Sequence, residues 1–390
     1  MREVIAQLEE SLIRVVANAA LDRSDVLKFW FGESDAPTPE PIVQAASASL
    51  AAGETFYSHN LGLPALREAL AAYSSTLRSP GAQPIAVDRI AVTAGGVNGL
   101  MLSAQSLVNA GDRVVVVTPV WPNLVAQPRV MGARVQTVSL QPRQGVWSLD
   151  MDRLLDALDD QARVLVLNSP NNPTGWTLSR REQQVILEHC RKRGIWIVAD
   201  EVYERLYFRD AACAPSFLDL ATDHDRLLVV NSFSKSFLMT GWRLGWLTAP
   251  SAMAPALGKL LEFNTSCSPV FVQRAGLAAL AHAPQITPAV VAHLRRCRDT
   301  LVPQLQALPG VQVAAADGAM YAFFRLAGHD DSLALAQRLV EQAGLGLAPG
   351  QAFHDSREPA MQGWLRWCFA SADLQRLGQG VDRLARWMAL

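Results

Sequence analysis

Residues 164–203 read VLVLNSPNNPTGWTLSRREQQVILEHCRKRGIWIVADEVY. Val164 to Asn168 is a continuous apolar, β-branched run, the composition of a strand buried on both faces. A cluster of Asn, Pro and Gly ends it at Gly175. Ser179 to Arg191 then reads as a helix, and Ile195 to Ala199 as a second buried strand. Outward from this strand-helix-strand unit the same texture repeats. Ile90 to Thr93, Val114 to Thr118, Leu227 to Val230 and Leu244 to Thr248 are short apolar runs, with helical patterns at Gly99 to Val108 and Met151 to Leu158. Alternation of this kind predicts a doubly wound α/β core with a mostly parallel sheet joined by right-handed crossovers.

Beyond about residue 285 the pattern changes to helix (Pro288 to Leu308), strand (Ala319 to Arg325), helix (Ser332 to Ala343) and strand (Leu365 to Phe369), an α+β arrangement. Ala36 to Pro41 (APTPEP) marks an N-terminal hinge. The expected division is 1–42 as an arm plus part of a small domain, 43–284 as the large domain, and 285–390 as the rest of the small one.

The 390 residues are 50% hydrophobic and 18% charged, with a mean hydropathy of +0.11, which excludes disorder as the dominant state. Lys and Arg number 35 against 36 Asp and Glu, so no global field favours nucleic acid or a membrane surface. The five cysteines, at 190, 213, 267, 297 and 368, form no C-x-x-C pair, and neither a disulfide framework nor a metal site is expected. Ile5, Leu8, Leu12 and Val15 among Glu3, Glu9 and Glu10 read as an amphipathic arm rather than a signal peptide. A soluble, cytoplasmic protein is the expectation.

In open α/β sheets ligands bind beyond the carboxyl ends of the strands. Here those ends carry Ala94 to Gly99 (AGGVNG), Pro119-Val120-Trp121, Asn168 to Gly175, Asp200, Glu201 and Tyr203, and Asn231 to Lys235 (NSFSK). Five strand ends thus converge on one crevice. Arg243 precedes the sixth strand and joins the same edge only if that strand runs antiparallel. A glycine pair at a helix start presents backbone N–H groups and the positive end of the helix dipole to a phosphate; on its own it is equally an ordinary tight turn. Neither G-x-x-x-x-G-K-[ST] nor G-x-G-x-x-G is present, so nucleoside triphosphates and dinucleotides are not indicated.

Lys235 follows a buried strand and is either a solvated surface lysine or one whose pKa is lowered by desolvation and a neighbouring cation such as Arg243, which makes it a nucleophile able to form a Schiff base. Asp200 ends an apolar run and is either a cap or a buried carboxylate paired with a cation such as a protonated pyridine nitrogen. Tyr203 is placed to donate its hydroxyl to the same ring, and Trp121 either stacks on that ring or is a core or interface residue.

These runs, NSPNNPTG (168–175), DEVY (200–203) and SFSKSFLMTGWRLG (232–245), resemble the class I aminotransferases, fold-type I enzymes that use pyridoxal 5′-phosphate. The resemblance extends from Gly32-Glu33-Ser34-Asp35 through Tyr57 and Leu66-Arg67-Glu68 to Arg366-Trp367-Cys368-Phe369-Ala370. It implies that Lys235 carries the cofactor and later moves a proton between the substrate Cα and the cofactor. It implies further that Asp200 faces the ring nitrogen, Tyr203 and Asn172 the ring oxygen, and Trp121 the ring face, while Gly96, Val97, Ser232 and Arg243 hold the phosphate. Tyr57 resembles a tyrosine that reaches the phosphate from a neighbouring subunit, implying a homodimer. Arg366 resembles the arginine that binds the substrate α-carboxylate, helped by Asn172 and the backbone near Gly32.

Some aspartate-preferring relatives have a lysine after the glycine pair where this chain has Val97. With Phe29, Trp30 and Phe31 before Gly32, and with Tyr321 and Phe353 in regions that line the entrance in relatives, the expected donor is a neutral, apolar or aromatic L-amino acid. The alternative is a lyase of the same cofactor class, like aminocyclopropanecarboxylate synthase or a cysteine conjugate β-lyase. A regulatory domain is not expected, because only about 30 residues precede Gly32. His59, His354 and the cysteines are given no role.

Overall fold

The computed structural model describes residues 1–143, 146–313, 316–354 and 363–389. Its centre is a seven-stranded sheet of β1 (Ile90–Thr93), β2 (Arg113–Thr118), β3 (Arg134–Ser139), β4 (Ala162–Asn168), β5 (Trp196–Asp200), β6 (Leu227–Ser232) and β7 (Gly245–Thr248), in the order β1-β7-β6-β5-β4-β2-β3. All pairings are parallel except those of β7, which runs antiparallel to both β1 and β6. The apolar runs lack alternation because the sheet is covered on both sides. Val115, Leu165, Ile197 and Val229 enter one core, and their neighbours Val114, Val116, Val164, Val198 and Leu228 enter the other.

The helix after β4, Arg180–Arg193, begins at a reciprocal cap: Ser179 Oγ accepts from the Glu182 amide, and the Glu182 carboxylate accepts from the Ser179 amide at 2.8 Å. It ends at Gly194, whose φ of +67° closes the last turn. The helix after β1 spans Gly96–Leu107, three residues earlier than its side-chain pattern predicts, so its free amides start at the glycine pair.

A second, antiparallel sheet comprises β8 (Val311–Val313), β9 (Tyr321–Leu326), β10 (Ala348–Pro349) and β11 (Trp364–Cys368), ordered β8-β9-β11-β10. Beside it, Leu27–Lys28 pairs in parallel with Leu345–Gly346, which ties the N-terminal segment to the C-terminal one. The expected single N-terminal helix is instead two, Glu3–Ala6 and Leu12–Asn18. Ser11 caps the second, and the face it buries is Ile13, Val16 and Ala17 rather than Leu12 and Val15. Strand β3 escaped sequence reading because, at the sheet edge, only its last two residues are buried. Among the described residues no single helix is long and apolar enough to cross a membrane.

Candidate active site

At the carboxyl edge of the large sheet lies a cavity of about 570 Å³. Gly32, Gly96, Val97, Trp121, Asn172, Asp200, Tyr203, Ser232, Lys235, Arg243 and Arg366 all line it, so eleven of the twelve sequence-selected site residues meet there. Arg243 is among them because β7 is antiparallel: Gly245 lies opposite Ser232 and Thr93, at the carboxyl ends of its two parallel neighbours. The exception is Tyr57, which is 88% exposed and outside the cavity. Its loop is nonetheless fixed, since the Ser58 amide donates to Cys267 Sγ at 3.4 Å and Gln273 Nε2 donates to Ser58 Oγ at 3.1 Å.

Asp200 ends β5 with 3% exposure, and its carboxylate accepts from the Val202 amide at 3.3 Å. Burial pushes its pKa up to about 7. Lys235 sits in the turn after β6, with Nζ donating to the Gly32 carbonyl at 2.5 Å and lying 5.6 Å over the Tyr203 ring. Burial lowers its pKa to about 8. Among the described residues neither group is in an ion pair, although both face one cavity.

Arg366 comes from the other sheet, in the middle of β11, and is 2% exposed. Its Nη1 donates to Asn172 Oδ1 at 2.9 Å and its Nη2 to the Trp30 carbonyl. The guanidinium lies between the rings of Tyr321 and Phe353, 4.6 and 4.8 Å from their centres. Its Nε is buried without a partner among the described residues. Such a cation, stacked on rings and without an ion-pair partner among the described residues, is built for an anion from outside. Asn172 is held in turn by Asn168, whose Oδ1 accepts from the Asn172 amide at 2.7 Å and whose Nδ2 donates to the Asp200 carbonyl at 2.9 Å.

At the other end, Gly95 has φ +87°, and a Cβ there would lie 2.4 Å from Arg243 Nη2. The absence of that side chain lets the guanidinium lie against the start of the helix Gly96–Leu107, where the first amides have no carbonyl partners. Arg243 Nη1 donates to the Thr240 carbonyl at 2.6 Å, and Ser232 Oγ donates to Ser234 Oγ at 2.9 Å.

Sequence reading missed Ser234 and Asn168 as the brace of Asn172; Tyr321, expected in an entrance-lining region, does line the cavity, with its hydroxyl 2.7 Å from that of Tyr203. The S-x-S-K spacing and an Asn at the last position of a strand were the available signals for the first two. Of Phe29, Trp30 and Phe31, only Phe31 lines the cavity; Phe29 packs on Trp367 at 4.9 Å and Trp30 is 1% exposed. Phe353 stacks on Arg366 instead of lining the entrance. Arg14 also lines the cavity, its guanidinium 4.7 Å over the Phe31 ring.

The family model for aminotransferase class I and II matches residues 24–384. An aspartate aminotransferase of Thermotoga maritima is 31% identical over 360 residues, covering 92% of this chain and 90% of that protein. An arginine–pyruvate transaminase of Pseudomonas aeruginosa is 34% identical over 334 residues, covering 85% of this chain and 83% of that protein. A solved single mutant of the Thermus thermophilus aspartate aminotransferase aligns over 99% of both chains at 29% identity, with a TM-score of 0.90. A buried amine, a buried carboxylate, an anion-seeking arginine and a phosphate-ready helix end, on a fold shared with these enzymes, place the chain in the class I aminotransferases, fold-type I transaminases that work with pyridoxal 5′-phosphate.

Proposed function

We propose that this transaminase takes the amino group of a neutral, apolar or aromatic L-amino acid and passes it to a 2-oxo acid in two half-reactions that share one cavity. The observation that carries the reading is the Asp200 carboxylate, the Lys235 amine and the Arg366 guanidinium in a single cavity, with no ion pair to any of the three among the described residues. Ile13, Phe31, Val97, Leu100 and Trp121 in its lining favour an apolar side chain. The lyase alternative is disfavoured, since the named relatives are transaminases.

The residues present fit pyridoxal phosphate. A buried carboxylate with one amide partner suits a cationic ring nitrogen, and the helix start with Arg243 suits a phosphate. When bound, the cofactor supplies an aldehyde that condenses with amines and a ring that withdraws electrons from the substrate Cα. Asp200 holds the ring nitrogen protonated. Lys235 would hold the cofactor through its amine and would serve as the base and acid that moves a proton at the substrate Cα; a pKa near 8 suits it to both directions. Arg366 clamps the α-carboxylate, with Asn172 and the backbone at Gly32 beside it, and so fixes which bond at Cα faces Lys235. Asn172 gives its Oδ1 to Arg366, which leaves Nδ2 to join Tyr203 as donor to the ring oxygen. Trp121, in the cavity lining, would help hold the ring by stacking. Gly96, Val97, Ser232 and Arg243 hold the phosphate.

Tyr57, exposed on a fixed loop beside Phe56 and with Phe263 equally exposed, completes the phosphate site of a second copy in a homodimer. The division into residues 1–42, 43–284 and 285–390 places the carboxylate clamp and the cofactor cradle on different units. A cytoplasmic location accords with five unpaired thiols.

The test is to mix the purified holoenzyme with single amino acids and follow the absorbance of the bound cofactor. Phenylalanine, leucine and methionine should convert it faster than aspartate. Aspartate far ahead of all three would overturn the donor assignment, and steady turnover without any 2-oxo acid would overturn the transaminase chemistry.

A further inference from the structure

Tyr321 opens β9, is 0% exposed, and touches three parts of the site at once. Its hydroxyl is 2.7 Å from that of Tyr203, its ring carries the Arg366 guanidinium 4.6 Å above its centre, and its hydroxyl fills the space a side chain on Gly32 would need, 2.1 Å from where a Cβ would stand. Gly32 in turn receives Lys235 Nζ. Tyr321 thus contacts both the carboxylate-binding arginine and the tyrosine assigned to the ring oxygen.

We propose that Tyr321 is a positioning residue that couples the substrate's carboxylate, bound at Arg366, to the hydrogen bond that Tyr203 makes with the cofactor's ring oxygen. The proposal rests on the assignment of Tyr203 made above. A tyrosine hydroxyl has one proton. Once Tyr203 gives its proton to the ring oxygen, the 2.7 Å contact is satisfied only with Tyr321 as donor. That donation polarises Tyr203 and strengthens its own bond to the ring oxygen, as in any chain of hydrogen bonds. The guanidinium over the Tyr321 ring makes its hydroxyl a better donor. An incoming carboxylate neutralises that cation, weakens Tyr321 as a donor, and through Tyr203 makes the ring oxygen less well stabilised as an anion. Binding at one end of the substrate is thereby felt at the cofactor about to react with the other end.

Tyr321→Phe keeps the ring under Arg366 and removes only the hydroxyl. In the holoenzyme, the pH midpoint of the bound cofactor's absorbance change reports how well the anionic ring oxygen is stabilised. In Tyr321→Phe that midpoint should rise by about 0.5 to 1 pH unit, the worth of one neutral hydrogen bond. Saturation with 3-phenylpropanoate, a carboxylate without an amino group, should raise the midpoint in the unaltered enzyme and raise it by a smaller amount in the variant. The direct field of the ligand's charge, and the route from Arg366 through Asn172, are present in both proteins and cancel in the difference between the two shifts. A variant midpoint equal to that of the unaltered enzyme, or an undiminished ligand-induced shift, overturns the proposal. Tyr203→Phe separates the two readings. If it moves the midpoint and Tyr321→Phe does not, only the coupling falls; if Tyr203→Phe also leaves it in place, the assignment of Tyr203 falls as well.

Discussion

Asp200 and Lys235 are both displaced from their ordinary titration ranges by burial, in opposite directions, and each displacement has a measurable sign. The folded Lys235 amine loses its proton near pH 8, against 10.5 for a free lysine. In the cofactor-free protein, acylation of Lys235 by an amine reagent should therefore rise with pH to a midpoint near 8, read by peptide mass spectrometry, well below the range of an ordinary solvated lysine. A Lys235 midpoint above 10 would remove the argument that the cavity prepares this amine. For Asp200 the folded pKa lies near 7, above the 3.8 of the unfolded chain, so the native state holds this proton more tightly. The associated stability is complete below pH 3.8 and is lost as pH rises through 7. Asp200→Asn should accordingly raise the melting temperature of the cofactor-free protein at pH 8 by at least about 1 °C, an advantage that disappears toward pH 4. The same variant should lose about 10²–10³-fold in transamination, because its amide offers no charge to the ring nitrogen. Lower stability at pH 8 would mean that the carboxylate is already satisfied within the chain.

Elements decide where these groups can stand. The turn between β1 and the helix Gly96–Leu107 needs Gly95 twice over, for φ +87° and for the close approach of Arg243. Gly245 opens β7 under the same restriction, since a Cβ on it would lie 2.9 Å from the Gly96 amide nitrogen. Gly95→Ala should displace Arg243 and raise the dissociation constant of pyridoxal phosphate about 10- to 100-fold by equilibrium titration, the range for a charge-assisted hydrogen bond. Unchanged affinity would place the phosphate elsewhere. Arg67 belongs to the quoted resemblance but acts structurally: its Nε donates to the Ile90 carbonyl at 2.9 Å and its Nη2 to the Val87 carbonyl at 2.9 Å, fastening the helix Pro64–Thr76 to the start of β1.

At the scale of the whole molecule, the two sheets contribute opposite ends of the site, and the exposed Tyr57 makes the assembly testable. Tyr57→Ala and Lys235→Ala chains should each be nearly inactive alone. Unfolded together and refolded, they should recover about a quarter of unaltered activity, because mixed two-fold dimers combine one intact site with one doubly defective site. No recovery, in dimers shown to be mixed, would place Tyr57 outside the partner's site.

Much of this architecture was legible in the chain itself. The six apolar runs are strands, because a strand covered on both faces must be apolar at every position, and a local rule of that kind survives in one dimension. Lys235, Asp200 and Asn172 were legible for a related reason: each sits at or just beyond a strand's carboxyl end, so the order of strands and helices alone brings them to one edge. Tertiary structure alone decided the rest. The antiparallel direction of β7, which carries Arg243 to the site, follows from pairing with strands more than 10 residues and 150 residues away, and no local pattern encodes it. The contacts of Arg366 with Tyr321 and Phe353 draw on two strands of the second sheet and the turn Gly350–Phe353, and its brace at the Trp30 carbonyl comes from the opposite end of the chain. Contacts between distant segments depend on how separate elements pack, and side-chain periodicity says which face of an element is buried but not what it will meet there.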